Sequence, residues 1–193
     1  MEAIDSKRMT YAEYLEFEKT SETKHEYVNG EVYAMAGGTR AHARLASSFV
    51  ILVGPQLFNR PCAAYSSDLR VRIEATGRST YPDVTVVCGA EITSTADEDC
   101  ITNPTLLVEV LSPSTEASDR GDKWAHYQRL PSLREYVLVS SDQKRVEVFS
   151  RENDLGEWRY VETRVGTLAL QSIGATLDLD ALYREPLFAA SGG

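Results

Sequence analysis

Two acidic residues occupy positions in the sequence where an exposed charge is not expected. Asp83 directly precedes the apolar run of residues 84–88, and Glu109 lies inside the apolar run of residues 106–111. An ionised carboxylate buried in such a run costs several kcal/mol unless a partner or a metal ion compensates its charge. For Glu109 the structural alternatives are a buried ion pair with an arginine and an exposed position on a strand edge.

The spacing of the two acids fits a shared site. Asp83 and Glu109 are 26 residues apart, which leaves room for a strand, an acidic loop and a neighbouring strand. Two adjacent strands would bring both carboxylates to one end of a sheet, close enough to share one divalent ion. Paired carboxylates with a backbone carbonyl suit Mg²⁺ or Mn²⁺, which polarises a phosphoryl oxygen and lowers the pKa of a bound water. Without metal, two carboxylates in one cleft disfavour double ionisation, so we expect a raised pKa for Glu109, the more apolar of the two positions.

Lys123 is the candidate cation of this site. It lies 14 residues after Glu109 on a predicted helix, and a lysine there can orient the attacking water or stabilise phosphate charge in the transition state. The alternative is a solvent-exposed helix position. In either position, its replacement by alanine is expected to leave folding nearly intact, because such a lysine contributes little core area.

His42 and the glycines before it are weaker candidates. His42 stands near a predicted helix start, where it is either a contact to phosphate or to a base, or a structural or solvated histidine. Gly37-Gly38 is either a phosphate-binding nest or only a loop.

The amino-terminal half is predicted to contain two helices and a hairpin. Residues 10–19 form a helix that begins with a capping box. Residues 24–35 form two short strands around Asn29-Gly30, because both residues tolerate the positive φ of a tight turn. Residues 40–59 form a second helix, which Pro55 kinks or restarts.

The rest of the chain is predicted to alternate strands and helices. Strands are expected at residues 67–74, 84–88, 106–111, 135–140, 145–150 and 158–165. An acidic loop is expected at residues 91–99, a helix at residues 117–130 and a helical turn at residues 177–183. This order predicts one α/β domain, residues 1–193, in which helices flank a mixed β-sheet.

The charge of the chain argues against non-specific binding of nucleic acid. Its 193 residues carry a net charge of −9 at pH 7, and an acidic surface repels phosphate. Residues 40–90 are an exception, since they hold six arginines against three acids. That stretch forms either one basic face or a set of solvated positions on strands and helices.

The three cysteines form no CxxC pair, and no histidine lies near them at metal-binding spacing. The sequence therefore predicts no zinc site and no disulfide framework, and Cys88 is expected to be a small buried hydrophobic residue. No apolar run reaches the length of a membrane span, and the first 20 residues lack the apolar core of a secretory signal. These features predict a cytoplasmic protein.

Several short blocks in a fixed order resemble a known family. They are Glu26-Tyr27-Val28-Asn29-Gly30-Glu31 with Met35 and His42, Tyr81-Pro82-Asp83, residues 107–114 (LVEVLSPS), Asp119-Arg120-Gly121-Asp122-Lys123 with Tyr127, and residues 135–139 (EYVLV). Together they resemble the Uma-type family of restriction endonucleases, in the PD-(D/E)XK nuclease superfamily, over roughly residues 9–185. A lone Pro-Asp is a weak motif, whereas the ordered series of blocks is specific.

The resemblance implies a restriction-endonuclease-like α/β fold and Mg²⁺- or Mn²⁺-dependent hydrolysis of phosphodiester bonds in DNA. The expected partners are DNA and a second copy of the chain. Asp83 and Glu109 would be the metal ligands, with the carbonyl of Val110 as a further ligand. The superfamily places its lysine two residues after the second acid, where this chain has Leu111, so the resemblance implies Lys123 as the replacement.

The superfamily often adds an early glutamate, for which Glu26 and Glu31 are the candidates. Five residues apart, they would face opposite sides of a regular strand, but the intervening Asn-Gly turn removes that parity argument. Glu31 is the preferred choice.

Two other classes of function remain open at this point. One is a catalytically inactive nucleic-acid-binding module with the same fold, and the other is a structural dimer. Metal-dependent cleavage would separate the enzyme from both, and salt-dependent DNA binding without cleavage would select the binding module.

Overall fold

A computed structural model describes residues 8–35, 37–154 and 156–185 of the chain. The helices are α1 (Tyr11–Thr20), α2 (Arg40–Leu57), α3 (Glu116–Arg120), α4 (Asp122–Tyr127) and α5 (Leu179–Leu182). The strands are β1 (His25–Val28), β2 (Glu31–Ala34), β3 (Cys62–Ser66), β4 (Arg70–Ile73), β5 (Arg78–Thr80), β6 (Val84–Cys88), β7 (Thr93–Ser94), β8 (Asp97–Ile101), β9 (Leu106–Leu111), β10 (Glu135–Ser140), β11 (Val146–Ser150), β12 (Arg159–Thr163), β13 (Thr167–Leu170) and β14 (Ala175–Asp178). Within the described ranges, no helix is long and apolar enough to cross a membrane.

Two six-stranded sheets and a two-stranded ribbon organise these elements. The first sheet has the order β2-β1-β5-β4-β8-β7, the second has the order β12-β11-β10-β9-β6-β3, and β13 pairs with β14. The first sheet contains the parallel pair β4 and β8, and the second contains the parallel pair β9 and β10. Each large sheet also contains antiparallel pairs, so both are mixed. The predicted α/β fold with a mixed sheet flanked by helices is confirmed, with two large sheets where one was expected.

The amino-terminal elements follow their local signals. Thr10 and Glu13 form the predicted capping box of α1, with the Thr10 N–H donating to Glu13 Oε2 at 2.7 Å. β1 and β2 meet at Asn29 and Gly30, whose φ values of 49° and 99° are those of a two-residue hairpin turn. Helix α2 continues through Pro55 to its end without restarting.

The prediction of one continuous helix at residues 117–130 is wrong. The chain forms α3 and α4 there, which meet at Gly121 with φ −110° and ψ −90°, outside the helical region. A Cβ added at Gly121 would lie 3.0 Å from the carbonyl oxygen of Ala117. Gly121 accommodates this approach without a side chain, and the helical spacing of the sequence did not reveal the break.

The predicted acidic loop at residues 91–99 is also wrong, because β7 and β8 form a hairpin over this stretch. In β8 the side chains of Glu98 and Asp99 are exposed, whereas Cys100 and Ile101 are buried. Because of the exposed acids, this stretch resembles a loop in the sequence, although its buried residues contribute to the core. Strands β3 and β5 likewise lie outside the predicted strands.

The main core lies on both faces of the second sheet. Val108 and its neighbours of the same parity in β9 pack with the buried side of α2, including Phe49. Residues of the opposite parity, Leu107 and Leu111, pack with Tyr127 of α4. Because side chains alternate along a strand, Glu109 lies on the face of β9 that α4 covers.

The expectation of no disulfide and of a buried Cys88 is wrong. Cys62 of β3 lies directly opposite Cys88 of β6 in the antiparallel register, and the two form a disulfide with a Cα–Cα distance of 4.0 Å. Cys88 is half-buried, and Cys100 is a buried free thiol. The bond arises from strand register, which leaves no signature in the spacing of the cysteines.

The disulfide gives a direct test of the register between β3 and β6. Protein purified and unfolded without reductant should incorporate one thiol label, on Cys100, and three labels after reduction. In the Cys62→Ser variant, Cys88 is released, so two labels should appear without reduction. Mass spectrometry of the alkylated chains measures these numbers, and three labels on unreduced wild-type protein would contradict the pairing.

Candidate active site

Asp83 and Glu109 meet because β6 and β9 are neighbours. The strands are antiparallel with Val84 opposite Val108, so Asp83, one residue before Val84, lies beside Glu109, one residue after Val108. The Val110 N–H donates a hydrogen bond to Asp83 Oδ2 at 2.7 Å, which extends the ladder through a side chain. Both acids line one cavity of about 80 Å³ at this end of the sheet.

Glu109 is buried on all sides, with 3% of its surface exposed. Its Oε1 accepts hydrogen bonds from the Tyr127 hydroxyl at 2.7 Å and from Lys123 Nζ at 3.2 Å. Burial raises the pKa of Glu109 above its usual range, and the charges of Asp119 and Asp83 add to this rise, whereas Lys123 opposes it. The pKa of Glu109 is raised, as expected, but burial is the largest cause, and repulsion by Asp83, on which the expectation was based, is a smaller one.

Lys123 lies at the centre of three carboxylates. Its Nζ is 3.1 Å from Asp119 Oδ1, 3.2 Å from Glu109 Oε1 and 3.4 Å from Glu26 Oε1. Burial disfavours the charged amine, but the three carboxylates raise the pKa of Lys123 well above its usual range. The side chain is therefore a buried, charged member of the site, and the alternative of a solvent-exposed helix position is wrong.

Lys123 lies in the crossover between β9 and β10, and the packing of this crossover places its amine in the site. The Trp124 ring of α4 stacks on the Tyr136 ring of β10 with centroids 5.2 Å apart. The Tyr136 hydroxyl donates to the carbonyl oxygen of Asp119 at 3.0 Å, which fixes α3 over the same strand. The two short helices thereby hold the Lys123 amine in front of Glu109.

Glu26 enters the site from β1 of the first sheet. It is 1% exposed and forms an ion pair with the fully buried Arg78, at 2.7 Å, and a short hydrogen bond from the Thr80 hydroxyl. Burial by itself raises the pKa of Glu26, but Lys123 and Arg78 overcome that effect, and the net shift is downward. Glu26 therefore carries a stable negative charge at the wall of the cavity.

The structure brings Glu26, and not Glu31, to the cavity. In the hairpin register Glu26 pairs with Tyr33 and Val28 pairs with Glu31, so both glutamates lie on one face of the hairpin. Glu31 lies nearer the turn, where it accepts from the Tyr33 hydroxyl at 2.6 Å and is 3.8 Å from Arg8. Glu31 is not among the described residues that line the cavity.

His42 lies at the mouth of the cavity. It is in the first turn of α2, where its N–H donates to the capping hydroxyl of Thr39 at 3.2 Å, and its Nε2 is 3.0 Å from Asp83 Oδ2. The hydrogen bond to Asp83 raises the pKa of His42 against the effect of burial. Gly38 lies against the ring, since a Cβ there would be 2.7 Å from His42 Nδ1.

Acidic groups outnumber cationic groups around the cavity. The lining carboxylates are Glu26, Asp83, Glu109 and Asp119. Lys123 and His42 are the basic residues that line it in the described part of the chain. Leu111, at the position two residues after Glu109, is 2% exposed in the core and contributes no cation.

Three residues of the site were not assigned a role from the sequence. Asp119 lies four residues before Lys123, a helical spacing that could have identified it as a partner. Tyr127 continues the same spacing beyond Lys123 and contacts Glu109. Arg78 had no comparable signal, because its partners are distant in the sequence.

The basic stretch of residues 40–90 does not form one free basic face. Arg70 is 2.7 Å from Asp97, and Arg78 is bound to Glu26 inside the protein. Arg72 lies over the Tyr11 ring at 3.8 Å from its centroid. These arginines serve the internal packing of the first sheet.

The burial of Lys123 changes the expected effect of its removal. Lys123→Ala leaves three buried carboxylates without their common cation, so the free energy of unfolding in EDTA should fall by about 3–5 kcal/mol. Denaturant titration measures this loss. Lys144→Ala is the matched control, because Lys144 pairs with the exposed Asp180, and it should cost at most about 1 kcal/mol. Equal losses in both variants would contradict the buried cluster.

The raised pKa of Glu109 predicts a pH dependence of stability. Between its unfolded and folded pKa values, the folded protein holds the extra proton, so the stability contributed by this group falls as the pH rises through that window. Glu109→Gln removes the titrating group, and in EDTA its free energy of unfolding relative to wild type should increase from about pH 4 upward. Denaturant titrations at several pH values test this, with the exposed Glu22→Gln as control. A difference independent of pH would refute the assignment.

A family model and two relatives match most of the chain. The chain matches the model of the Uma2 family, described as "Putative restriction endonuclease", over residues 11–181. It is 38% identical over 182 residues to the uncharacterized protein slr1290 of Synechocystis sp., covering 94% of each chain. It is 32% identical over 162 residues to the uncharacterized protein sll1609 of the same organism, covering 84% of this chain and 91% of that protein.

One solved structure has a fold similar to that of this chain. The crystal structure of "a putative nuclease belonging to DUF820" from Anabaena variabilis superposes with a TM-score of 0.72 and 19% identity, covering 91% of this chain and 97% of that chain. At this identity the similarity concerns the fold alone. The family model covers most of the chain, and the chain therefore belongs to the Uma2 family, in agreement with the family resemblance of its sequence blocks.

Proposed function

We propose that the protein is a metal-dependent endonuclease that hydrolyses phosphodiester bonds in DNA, with Mg²⁺ or Mn²⁺ as its cofactor. The observation that carries the proposal is the meeting of Asp83, Glu109 and Lys123 in one small cavity. These residue types can together hold a hard cation and donate a hydrogen bond to a phosphoryl oxygen or a water. The family description supports the same reaction class.

The donor set around the cavity suits a hard divalent cation. Asp83 and Glu109 supply carboxylate oxygens, and Val110, which also lines the cavity, has a carbonyl oxygen as a further donor. Asp119 Oδ1 is buried, and its contact is the 3.1 Å ion pair with Lys123 Nζ. Surplus negative charge in a buried cavity is what a bound cation would compensate.

The same residues favour Mg²⁺ or Mn²⁺ over a closed metal cage. In the described residues, no group of three or more His, Cys, Asp or Glu side chains is arranged to hold a metal ion. Mg²⁺ is usually bound through one or two carboxylates and keeps several waters, which agrees with Asp83 and Glu109 as its ligands among the four carboxylates that line this cavity of about 80 Å³. When bound, such an ion polarises a phosphoryl oxygen and lowers the pKa of a water.

Lys123 would act on the phosphate or on the attacking water. Its raised pKa keeps the amine protonated at neutral pH, so it donates hydrogen bonds and does not act as a base. The amine is preorganised by three carboxylates and does not have to be ordered when substrate arrives. Tyr127 and Arg78 are positioning residues, because they hold Glu109 and Glu26 in place.

Plasmid cleavage with Mg²⁺ or Mn²⁺ tests the proposal. Wild-type protein should nick or linearise plasmid DNA, and Asp83→Asn should abolish both cleavage and Mn²⁺ binding measured by calorimetry, because a ligand charge is lost. Lys123→Arg keeps the cation that the buried carboxylates require but moves its donors. It should fold and bind Mn²⁺ while cleavage falls about 100-fold.

Lys144→Arg is the control for the lysine series, because Lys144 lies outside the cavity and pairs with Asp180. Equal cleavage by Lys123→Arg and Lys144→Arg would reject the role of Lys123. DNA binding without cleavage by the wild type, across metals and DNA forms, would reject the enzyme and select the inactive binding module.

A further inference from the structure

Strand β12 is the outer strand of the second sheet. In the described part of the chain its one hydrogen-bonded neighbour is β11, and four of its five side chains are exposed. Tyr160 and Val161 are 51% and 50% exposed, and Val165, which follows the strand, is 75% exposed. A strand edge with exposed apolar side chains is a template for pairing with another strand. A further strand can therefore add to the sheet at β12.

β12 lacks the devices that commonly protect such an edge. Natural edge strands are often blocked by lysine, by proline or by a β-bulge. The sequence of β12, RYVET, contains neither lysine nor proline, and its register with β11 runs without a shift from Arg159 to Thr163. The charges of Arg159 and Glu162 are paired within the chain, with Glu152 at 3.2 Å and with Arg164 at 2.7 Å. These charges therefore do not prevent the approach of a second strand.

The hydrogen bonds of the sheet determine which main-chain groups β12 presents outward. The Ser140 N–H donates to the carbonyl oxygen of Arg145 at 3.0 Å, so odd-numbered residues of β11 bond to β10 and even-numbered residues bond to β12. The residue of β11 opposite Val161 is even-numbered, and Val161 therefore bonds to β11. The residues on either side of it, Tyr160 and Glu162, direct their N–H and C=O groups away from β11.

A second copy of β12 fits this edge. When two identical strands pair antiparallel about a two-fold axis, each side chain stays on its own face of the sheet, so one residue lies opposite its own copy at the centre. A centre at Arg159 or at Glu162 would bring like charges together, which destabilises a strand pair. Val161 is the middle residue of β12, and a centre there pairs all five residues of the strand.

In the register centred on Val161 the two strands complement each other. Tyr160 lies opposite Glu162 of the copy, and because both direct main-chain groups outward, the two residues exchange hydrogen bonds. The two-fold axis repeats this pair on the other side of the centre. Arg159 lies opposite Thr163 of the copy, so no like charges are opposed. At the centre, the two half-exposed Val161 side chains cover each other.

We propose that β12 pairs antiparallel with β12 of a second copy of the chain, centred on Val161, so that the second sheets of two molecules join into one continuous sheet. None of the residues of β12 is among the described residues that line the cavity of the acids, and the inference is independent of the proposed nuclease activity. One short strand from each copy makes a small interface, and small interfaces are typically weak. The dimer should therefore depend on protein concentration.

Sedimentation equilibrium over a concentration series tests this pairing. Wild-type protein should shift from monomer to dimer as its concentration rises to about 1 mM. Val161→Lys places two positive charges directly opposite each other, and it should raise the dissociation constant of the dimer at least about tenfold. Val161 is half-exposed in the single chain, so the variant should fold. Ile92→Lys is the matched control, because it makes the same change at an exposed position outside β12, and it should dimerise like the wild type.

A mixture of two variants tests whether Val161 lies opposite its own copy. Val161→Glu alone should also weaken the dimer at least about tenfold. An equimolar mixture with Val161→Lys should restore dimers, because each introduced lysine then lies opposite an introduced glutamate. A mixture that stays monomeric, or dimers that survive Val161→Lys, would overturn the inference. A wild-type protein that is monomeric throughout the series would exclude the second copy as the partner of this edge.

Discussion

The buried ammonium group of Lys123 is the charge on which the electrostatic balance of the site depends. It lies within 3.4 Å of Glu26 from β1, Glu109 from β9 and Asp119 from α3. One carboxylate comes from the first sheet, one from the second and one from the crossover between β9 and β10. Because all three are buried, an arrangement in which one of them misses the amine would leave an uncompensated charge in a medium of low dielectric. The first sheet, the second sheet and the crossover therefore meet at one cation.

Stability alone does not account for this cluster. Buried ion pairs stabilise a fold little more than well-packed apolar side chains of similar volume do. In this cluster the acids outnumber the cations. Burial raises the pKa of both Glu109 and Asp119, and neighbouring carboxylates add to the rise. A surplus of desolvated carboxylates is useful if a divalent cation joins them during function, because the cation then meets ligands that water has already left. Under the proposed function, the same surplus would repel phosphate until that cation is bound, so that binding of DNA at this cavity would require the metal.

Much of the fold could be predicted because its elements carry strong local signals. The capping box of α1, the Asn29-Gly30 turn and the apolar runs of β6, β9 and β10 each specify their structure within a few residues. The features that could not be predicted depend on contacts between distant segments. The Cys62–Cys88 bond requires the register of two strands, and the β7–β8 hairpin includes exposed acids that resemble a loop. The break at Gly121 interrupts a stretch with helical spacing.

The site shows the same division. Glu109 could be identified because a carboxylate in an apolar strand requires a partner. Glu26 and Glu31 lie on one face of the first hairpin, so the choice of Glu26 depended on its tertiary contacts with Lys123 and Arg78. The position of the lysine follows from packing, since α4 covers the face of β9 that bears Glu109 and Leu111. An amine from that helix can reach the space in front of Glu109, and the strand position is then free for a core leucine. A lysine on the strand would be aimed by the strand itself, whereas Lys123 is aimed by the stacking of Trp124 on β10 and by the turn at Gly121. The cation of this site thus depends on tertiary contacts outside the cavity.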